Sequence, residues 1–162
     1  MLDESGLPLD LPEPARGHLA AAVAAWGDEA VASGHVAAAL RAAPDSLAVR
    51  MGAYKFYLYR HRLAEAVAQA AAILEQAARR LQLPHDWRAV QPDHAAFDRI
   101  EPWPRLFLQA LIGMGYGLAR LGLADEAREA LRKAMALDPH DRFGAARLLA
   151  VVERGGAEEE AD

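Results

Sequence analysis

Five residues, Gly27, Ala32, Val36, Ala39 and Pro44, return with the same mutual spacing as Gly122, Ala127, Leu131, Ala134 and Pro139, each 95 positions further on (27 to 122 through 44 to 139). Self-similarity of this kind constrains a fold more than any single residue does, because one supersecondary unit must be built twice. In each series the middle three positions stand four and three residues apart, which places them on one face of an α-helix. That face reads small, large, small. The glycine before it supplies a turn, and the proline after it stops the helix. The pattern predicts helices that cross closely at alanine and interlock around the larger side chain.

Composition points the same way. The chain has 162 residues, long enough for one domain with a real core, and 53% of them are hydrophobic with only 7% aromatic. Alanine and leucine dominate, and both are strong helix formers. There is no cysteine, which excludes disulfides, zinc–thiolate centres and thiol nucleophiles. The net charge of −5 is uneven. Residues 1–40 carry one basic and six acidic side chains, residues 41–105 ten and seven, and residues 106–162 seven and ten. A central surplus of arginine in an acidic chain is not a nucleic-acid footprint, although it suits an acidic protein surface.

The opening MLDESGLPLD has no basic segment followed by an apolar one, so it does not read as a secretory signal. The longest nearly apolar stretch, residues 106–119, is too short to span a bilayer. The expected compartment is the cytoplasm, without a membrane partner.

The stretch LIGMGYGLARLG, residues 111–122, raises the question of a phosphate-binding loop. A dinucleotide turn needs GxGxxG between a strand and a helix. Here the glycines stand at 113, 115 and 117, and Leu118 occupies the position the third would need. No Gly-Lys-Ser/Thr follows either. As a helix, the segment bears a cost of roughly 0.5–1 kcal/mol per glycine relative to alanine. Gly113 and Gly117 share one face while Gly115 points the other way. Two neighbouring helices, one on each side, would explain all three.

Quoted onward, LIGMGYGLARLGLADEAREALRKAMALDP resembles a tetratricopeptide repeat, a 34-residue helix–turn–helix. Leu111 takes the early apolar position, Gly115 the small position of helix A and Gly122 the turn. Ala127, Leu131 and Ala134 fill helix B, and Pro139 the late proline. Residues 13–46 form a second, weaker match with Ala20 at the small site and Arg16 where an apolar residue is expected. Residues 47–82 form a divergent third: Tyr57, Ala66, Ala70 and Ile73 fit, but Tyr54 holds the small site and His61 the turn glycine site. Its helix B is expected to run past Arg80 to about Leu83.

The resemblance implies an all-α, right-handed stack of about three hairpins over residues 13–154, closed by a capping helix at 141–154. Apolar residues at 143, 148, 149, 151 and 152 suit that cap. Gly155-Gly156 is expected to end it, leaving 155–162 as a disordered acidic tail, and residues 1–12 are expected to be flexible.

Residues 84–104, PHDWRAVQPDHAAFDRIEPWP, interrupt the rhythm and hold four of nine prolines and two of three tryptophans. Long connections in compact domains are uncommon and often functional. Either Trp87, Phe97 and Trp103 pin the segment to the helices, or the segment borders the groove and helps set ligand access.

No reactive constellation stands out. The six histidines form no HExxH pair, and serine occurs only at 5, 33 and 46. The cluster His85, Asp86, Asp93, His94 and Asp98 has suitable metal donors, and a metal- or small-ligand-dependent enzyme centred there is the alternative function. The basic–aromatic run RMGAYKFYLYRHR could stack bases, but it equally supplies a helix with one apolar and one ligand-facing side. The leading expectation is no catalytic residue, no metal, no cofactor and no nucleic acid.

Members of the repeat family are binding scaffolds that hold a peptide or partner domain along their A helices. The positions implied here are Met51, Lys55 and Tyr59 in the middle repeat and Gln109, Ile112, Tyr116 and Arg120 in the last. The first repeat offers Gly17, Ala21 and Ala24, a smooth wall. Without asparagine, the paired Asn–Lys carboxylate clamp used by some relatives has no counterpart. The implied function is an adaptor or assembly factor, with self-association through the open ends of the stack as a further possibility.

Overall fold

A computed structural model of the chain describes residues 6–161, with side chains through 155. Among the described residues it is all-helical: α1 Ala15–Ala24, α2 Glu29–Ala42, α3 Leu47–Tyr59, α4 Leu63–Arg80, α5 Pro102–Arg120, α6 Ala124–Leu137 and α7 Ala145–Ala161. Two short 3₁₀ turns, Trp87–Ala89 and Pro92–His94, lie between α4 and α5. Each helix packs chiefly on its sequence neighbours: α1 on α2, α3 on α4, α5 on both α4 and α6, and α7 on α6. Contacts from α1 and α2 to α3 are slighter.

The ends of α3, α4 and α5 are built alike. His61, Gln82 and Gly122 adopt left-handed φ values of 57°, 56° and 82°. At α5, Gly122 N–H donates to Ala119 O at 3.0 Å and Leu123 N–H to Leu118 O at 2.9 Å. At α3, His61 N–H donates to Leu58 O at 3.1 Å and Arg62 N–H to Tyr57 O at 2.8 Å. The same pair at α4 runs from Gln82 to Arg79 O (3.2 Å) and from Leu83 to Ala78 O (2.8 Å). These bonds satisfy carbonyls that the helix cannot. His61 therefore does occupy the turn-glycine conformation despite its Cβ. Gly27, by contrast, has no left-handed φ, so the α1–α2 turn departs from the other two. The cap at Gln82 also ends α4 at Arg80, short of Leu83.

The glycine string lies wholly inside α5. A Cβ on Gly113 would lie 2.7 Å from Tyr54 Oη, and one on Gly117 2.5 Å from Val67 Cγ2. On the other side, a Cβ on Gly115 would meet Leu131 at 3.0 Å. Gly113 and Gly117 therefore admit α3 and α4, while Gly115 admits α6. A helix with neighbours pressed on two sides is what its glycines are for, and no phosphate loop exists here.

The main core runs from α3 to α7 around Leu106, Phe107, Leu108, Leu111 and Leu131, all nearly inaccessible. Smaller clusters hold the first hairpin, one around Val36, Phe56 and Tyr57 and one around Ala15, Ala39 and Val49.

Three boundary expectations change. Residues 6–12 are not a loose leader: Leu7 and Leu9 pack on the main core, Leu11 packs on the Ala15 cluster, and Ser46 Oγ donates to Asp10 O at 3.2 Å. Residues 1–5 lie outside the described residues. The connection ends at Glu101, because Pro102 starts α5, where a missing N–H costs nothing. Helix α7 begins at Ala145, after left-handed Gly144, and continues through Gly155 and Gly156 to Ala161. The alanines and glutamates that follow the glycines are strong helix formers and offset them. In α7, Ala145 and Leu149 are buried while Val151 faces out. Asp162 and side chains beyond 155 lie outside the described residues.

Candidate functional site

The candidate surface lies where a side chain of α3 reaches across to α5. Tyr54 on α3 reaches the glycine at 113 of α5, and its hydroxyl fills the space a Cβ would take. Tyr54 was the anomaly of the divergent repeat, a large residue at a small site. The structure pairs it with a glycine on the facing helix, so the volume is exchanged rather than added. That complement, an aromatic too many in one repeat and a glycine too many in the next, was present in the sequence but has no local signature.

Around this contact the implied groove positions divide. Met51 is buried in the main core, so it lines no groove: it sits one turn below Tyr54 on the packed side of α3. Lys55 and Tyr59 are exposed on α3, Tyr59 at 73%. On α5, Gln109, Ile112 and Tyr116 are half-buried, with Ile112 packed on the core, and Arg120 is exposed. Arg120 Nη1 donates to Tyr116 Oη at 2.8 Å, and its guanidinium sits 5.8 Å from the Tyr116 ring centre. This intramolecular contact holds the cation and the aromatic ring as one unit, which lowers the entropy lost when a ligand docks.

Burial raises the phenol of Tyr54 above its ordinary range, and the nearby Tyr116 phenol adds to the shift. Burial also raises Tyr57, where the Arg62 guanidinium, 5.0 Å from the ring centre, opposes it and Glu65 adds to it. A folded-state value above the unfolded one means that the folded chain keeps protons the unfolded chain has released. The associated stability is intact below about pH 10 and lost as pH rises through the folded values. Ultraviolet titration should therefore show a late tyrosine phase, and Tyr54→Phe should shrink it and flatten the alkaline loss of stability. Unchanged curves in that variant would refute the burial assignment.

The turns of the first two hairpins adjoin this surface, which the sequence reading did not single out. Arg60 donates to Trp26 O and lies 4.2 Å from the Trp26 ring centre, while Trp26 meets Phe56 edge-on at 5.8 Å. Arg62 donates to Ser33 Oγ and pairs with Glu65 at 2.8 Å. Leu63 O, at the start of α4, lies 3.9 Å from a Cβ on Gly117 of α5.

The connection is placed elsewhere. Val90 is fully buried, and its carbonyl accepts from Lys133 Nζ on α6 at 2.9 Å. Arg88 pairs with Glu129 of α6, and Arg142 donates to Asp98 O. Phe97 is buried against Phe107, ring centres 5.7 Å apart. Trp87 and His85 border a crevice of about 160 Å³ with Ala71, Leu74 and Ala78 of α4. The segment thus covers α4 and α6, not the Lys55–Arg120 surface. Its aromatic residues pin it down. Trp103 belongs to the first turn of α5, half-buried, with Arg80 5.7 Å from its ring centre.

The local His and Asp cluster is not convergent. His94 Nδ1 accepts Gln91 N–H at 3.0 Å, and Asp86 Oδ1 accepts Arg88 N–H at 3.0 Å, each closing its own turn. Among the described residues no three His, Asp or Glu side chains are grouped to hold a metal ion. Also among them, no helix is long and apolar enough to cross a membrane.

Comparison with known proteins adds one relative. The chain is similar to a protein of Azotobacter chroococcum mcd 1. That protein, named "Uncharacterized 19.8 kDa protein in nifW 5'region", is 38% identical over 118 residues. The match covers 72% of this chain and 66% of the relative, so the chain spans just under two thirds of the relative's length. No family model and no solved structure matches the chain.

Proposed function

We propose that this protein is a tetratricopeptide-type binding scaffold whose α3–α5 surface holds an acidic segment of a partner protein. The observation that carries the reading is the Tyr54–Gly113 contact, by which a side chain of α3 reaches α5, with Lys55, Tyr59 and Arg120 exposed and Tyr116 half-buried on the same two helices. The recurring hairpin caps and the 95-residue repeat support it. Tyrosines supply rigid, amphipathic area at low entropic cost. Lys55 and Arg120 supply charge, each exposed pair adding only about 0–1 kcal/mol. Selectivity for acidic partners and fast capture follow from the charges, and affinity from the aromatic area.

The test places a photoreactive residue at Tyr59 and cross-links in the native host. A discrete adduct is expected, and it should weaken several-fold in a Lys55→Glu/Arg120→Glu background whose circular dichroism and melting are unchanged. An adduct of undiminished intensity in that background would remove the surface from the reading.

A further inference from the structure

A crevice of about 750 Å³ shares no residue with the α3–α5 surface. Four segments line it: residues 6–8, Asp45 from the α2–α3 turn, Gln76, Arg79 and Arg80 of α4, and Trp103 in the first turn of α5. Its volume falls in the range of small-molecule sites, about 300–1,000 Å³.

The walls are anchored. Leu7 and Leu9 pack on the main core, and Ser46 Oγ donates to Asp10 O. Gly6 has a left-handed φ of 84°, and a Cβ there would lie 2.7 Å from Pro102 Cγ. The chain therefore approaches the start of α5 as only glycine permits. Walls already fixed in place reduce the ordering cost that a ligand must overcome.

Positions 76, 79 and 80 share one face of α4, spaced i, i+3 and i+4. Gln76 Nε2 donates to Asp45 O at 3.4 Å, which leaves Gln76 Oε1 as an acceptor. Arg79 Nη1 donates to Glu75 Oε1 at 3.1 Å, and Glu75 does not line the crevice. The rest of that guanidinium's donors remain for other partners. Arg80 stands 5.7 Å from the Trp103 ring centre, and among the described residues it makes no hydrogen bond or ion pair. An unpaired guanidinium thus lies beside a half-buried indole.

We propose that this crevice binds a small planar anion: an aromatic ring with a carboxylate or phosphate group and, opposite it, a hydrogen-bond donor. The anionic group meets Arg79 and Arg80, whose forked N–H groups match the oxygens of either head group. The ring lies against Trp103, where offset stacking favours a flat molecule. The donor meets Gln76 Oε1, which belongs to a residue about 6 Å back along the helix from Arg80. A para-substituted benzene ring spans a comparable distance. Asp45 adds negative charge near Gln76, so that end suits a donor and opposes a second anionic group. A further crevice of about 410 Å³ shares Pro8, Asp45 and Gln76, which gives room for larger substituents.

The experiment titrates the ¹⁵N-labelled full chain with 4-aminobenzoate, 4-aminophenyl phosphate, 4-aminobenzamide and inorganic phosphate. It follows the Gly6 amide and the Trp103 indole N–H, the latter assigned from the spectrum of Trp103→Phe. At least one of the two ring-bearing anions should give saturable shifts at both positions, and the tighter one identifies the head group. The indoles of Trp26 and Trp87 should stay in place. The uncharged benzamide should bind at least about tenfold more weakly, the scale of a lost hydrogen bond between charged groups. Arg79→Gln/Arg80→Gln should weaken the tighter probe to a similar degree, and since both side chains are exposed, its melting should match the native chain's. Failure of both ring-bearing anions to saturate would overturn the proposal. So would binding undiminished in the variant or equalled by the benzamide. Inorganic phosphate binding as tightly as either ring-bearing anion would also overturn it, since the arginines would then be a bare cationic patch without a ring site.

Discussion

Phe107→Ala should destabilise the chain by roughly 3–5 kcal/mol, the cost of removing a large aromatic from a site that cannot collapse. Phe107 is fully buried, and its ring stands 5.7 Å from that of Phe97. It therefore joins α5 to the connection lying over α4 and α6, and its loss undercuts both. A single domain has only about 5–15 kcal/mol in hand, so the denaturation midpoint should fall steeply or the chain should fail to fold at elevated temperature. Phe97→Ala should cost a comparable amount. If Phe97→Ala is instead neutral, the connection is loosely attached and its aromatic anchoring is wrong. Chemical denaturation of the three chains decides this.

Gly117→Val is expected to cost on the order of 3 kcal/mol, the upper part of the range for overpacking a close contact. The added Cβ would stand 2.5 Å from Val67 Cγ2, and a valine in a helix has one strongly preferred rotamer, so Val67 cannot swing aside. Val67→Ala in the same chain should restore more than half of the loss. Gly34→Ala gives the contrast: Gly34 lies within α2 with open space where its Cβ would go, so alanine there should stabilise by about 0.5–1 kcal/mol. Opposite signs at two helical glycines would show that steric approach, not helix propensity, explains the glycine string. A destabilising Gly34→Ala, or a Gly117→Val that Val67→Ala cannot rescue, would break that account.

Much of the local structure was legible because it rests on short-range rules. Alanine-rich periodicity announced helices, and Pro44 and Pro139 sit just beyond the ends of α2 and α6. The alignment of His61 with Gly122 carried over into φ, since both close a helix through the same pair of backbone bonds. Opposite faces for Gly113 and Gly117 against Gly115 followed from helical pitch alone, and each face does meet a different neighbour.

Other features depend on which distant segments meet, and no spacing rule reports that. Met51 went inside and Lys55 outside because α4 and α5 cover one side of α3. Leu7 and Leu9 pack on a surface that segments far along the chain build together. Trp87 and Phe97 were visible as anchors, but that they anchor onto α4 and α6 rather than beside Tyr59 is a matter of where the connection must pass. The sequence by itself determined the helices, the turns at His61 and Gly122 and the glycine faces, since each is written within a few residues. Tertiary structure alone decided what the helices cover and what they leave open, since that is settled by volumes and charges brought together from far along the chain.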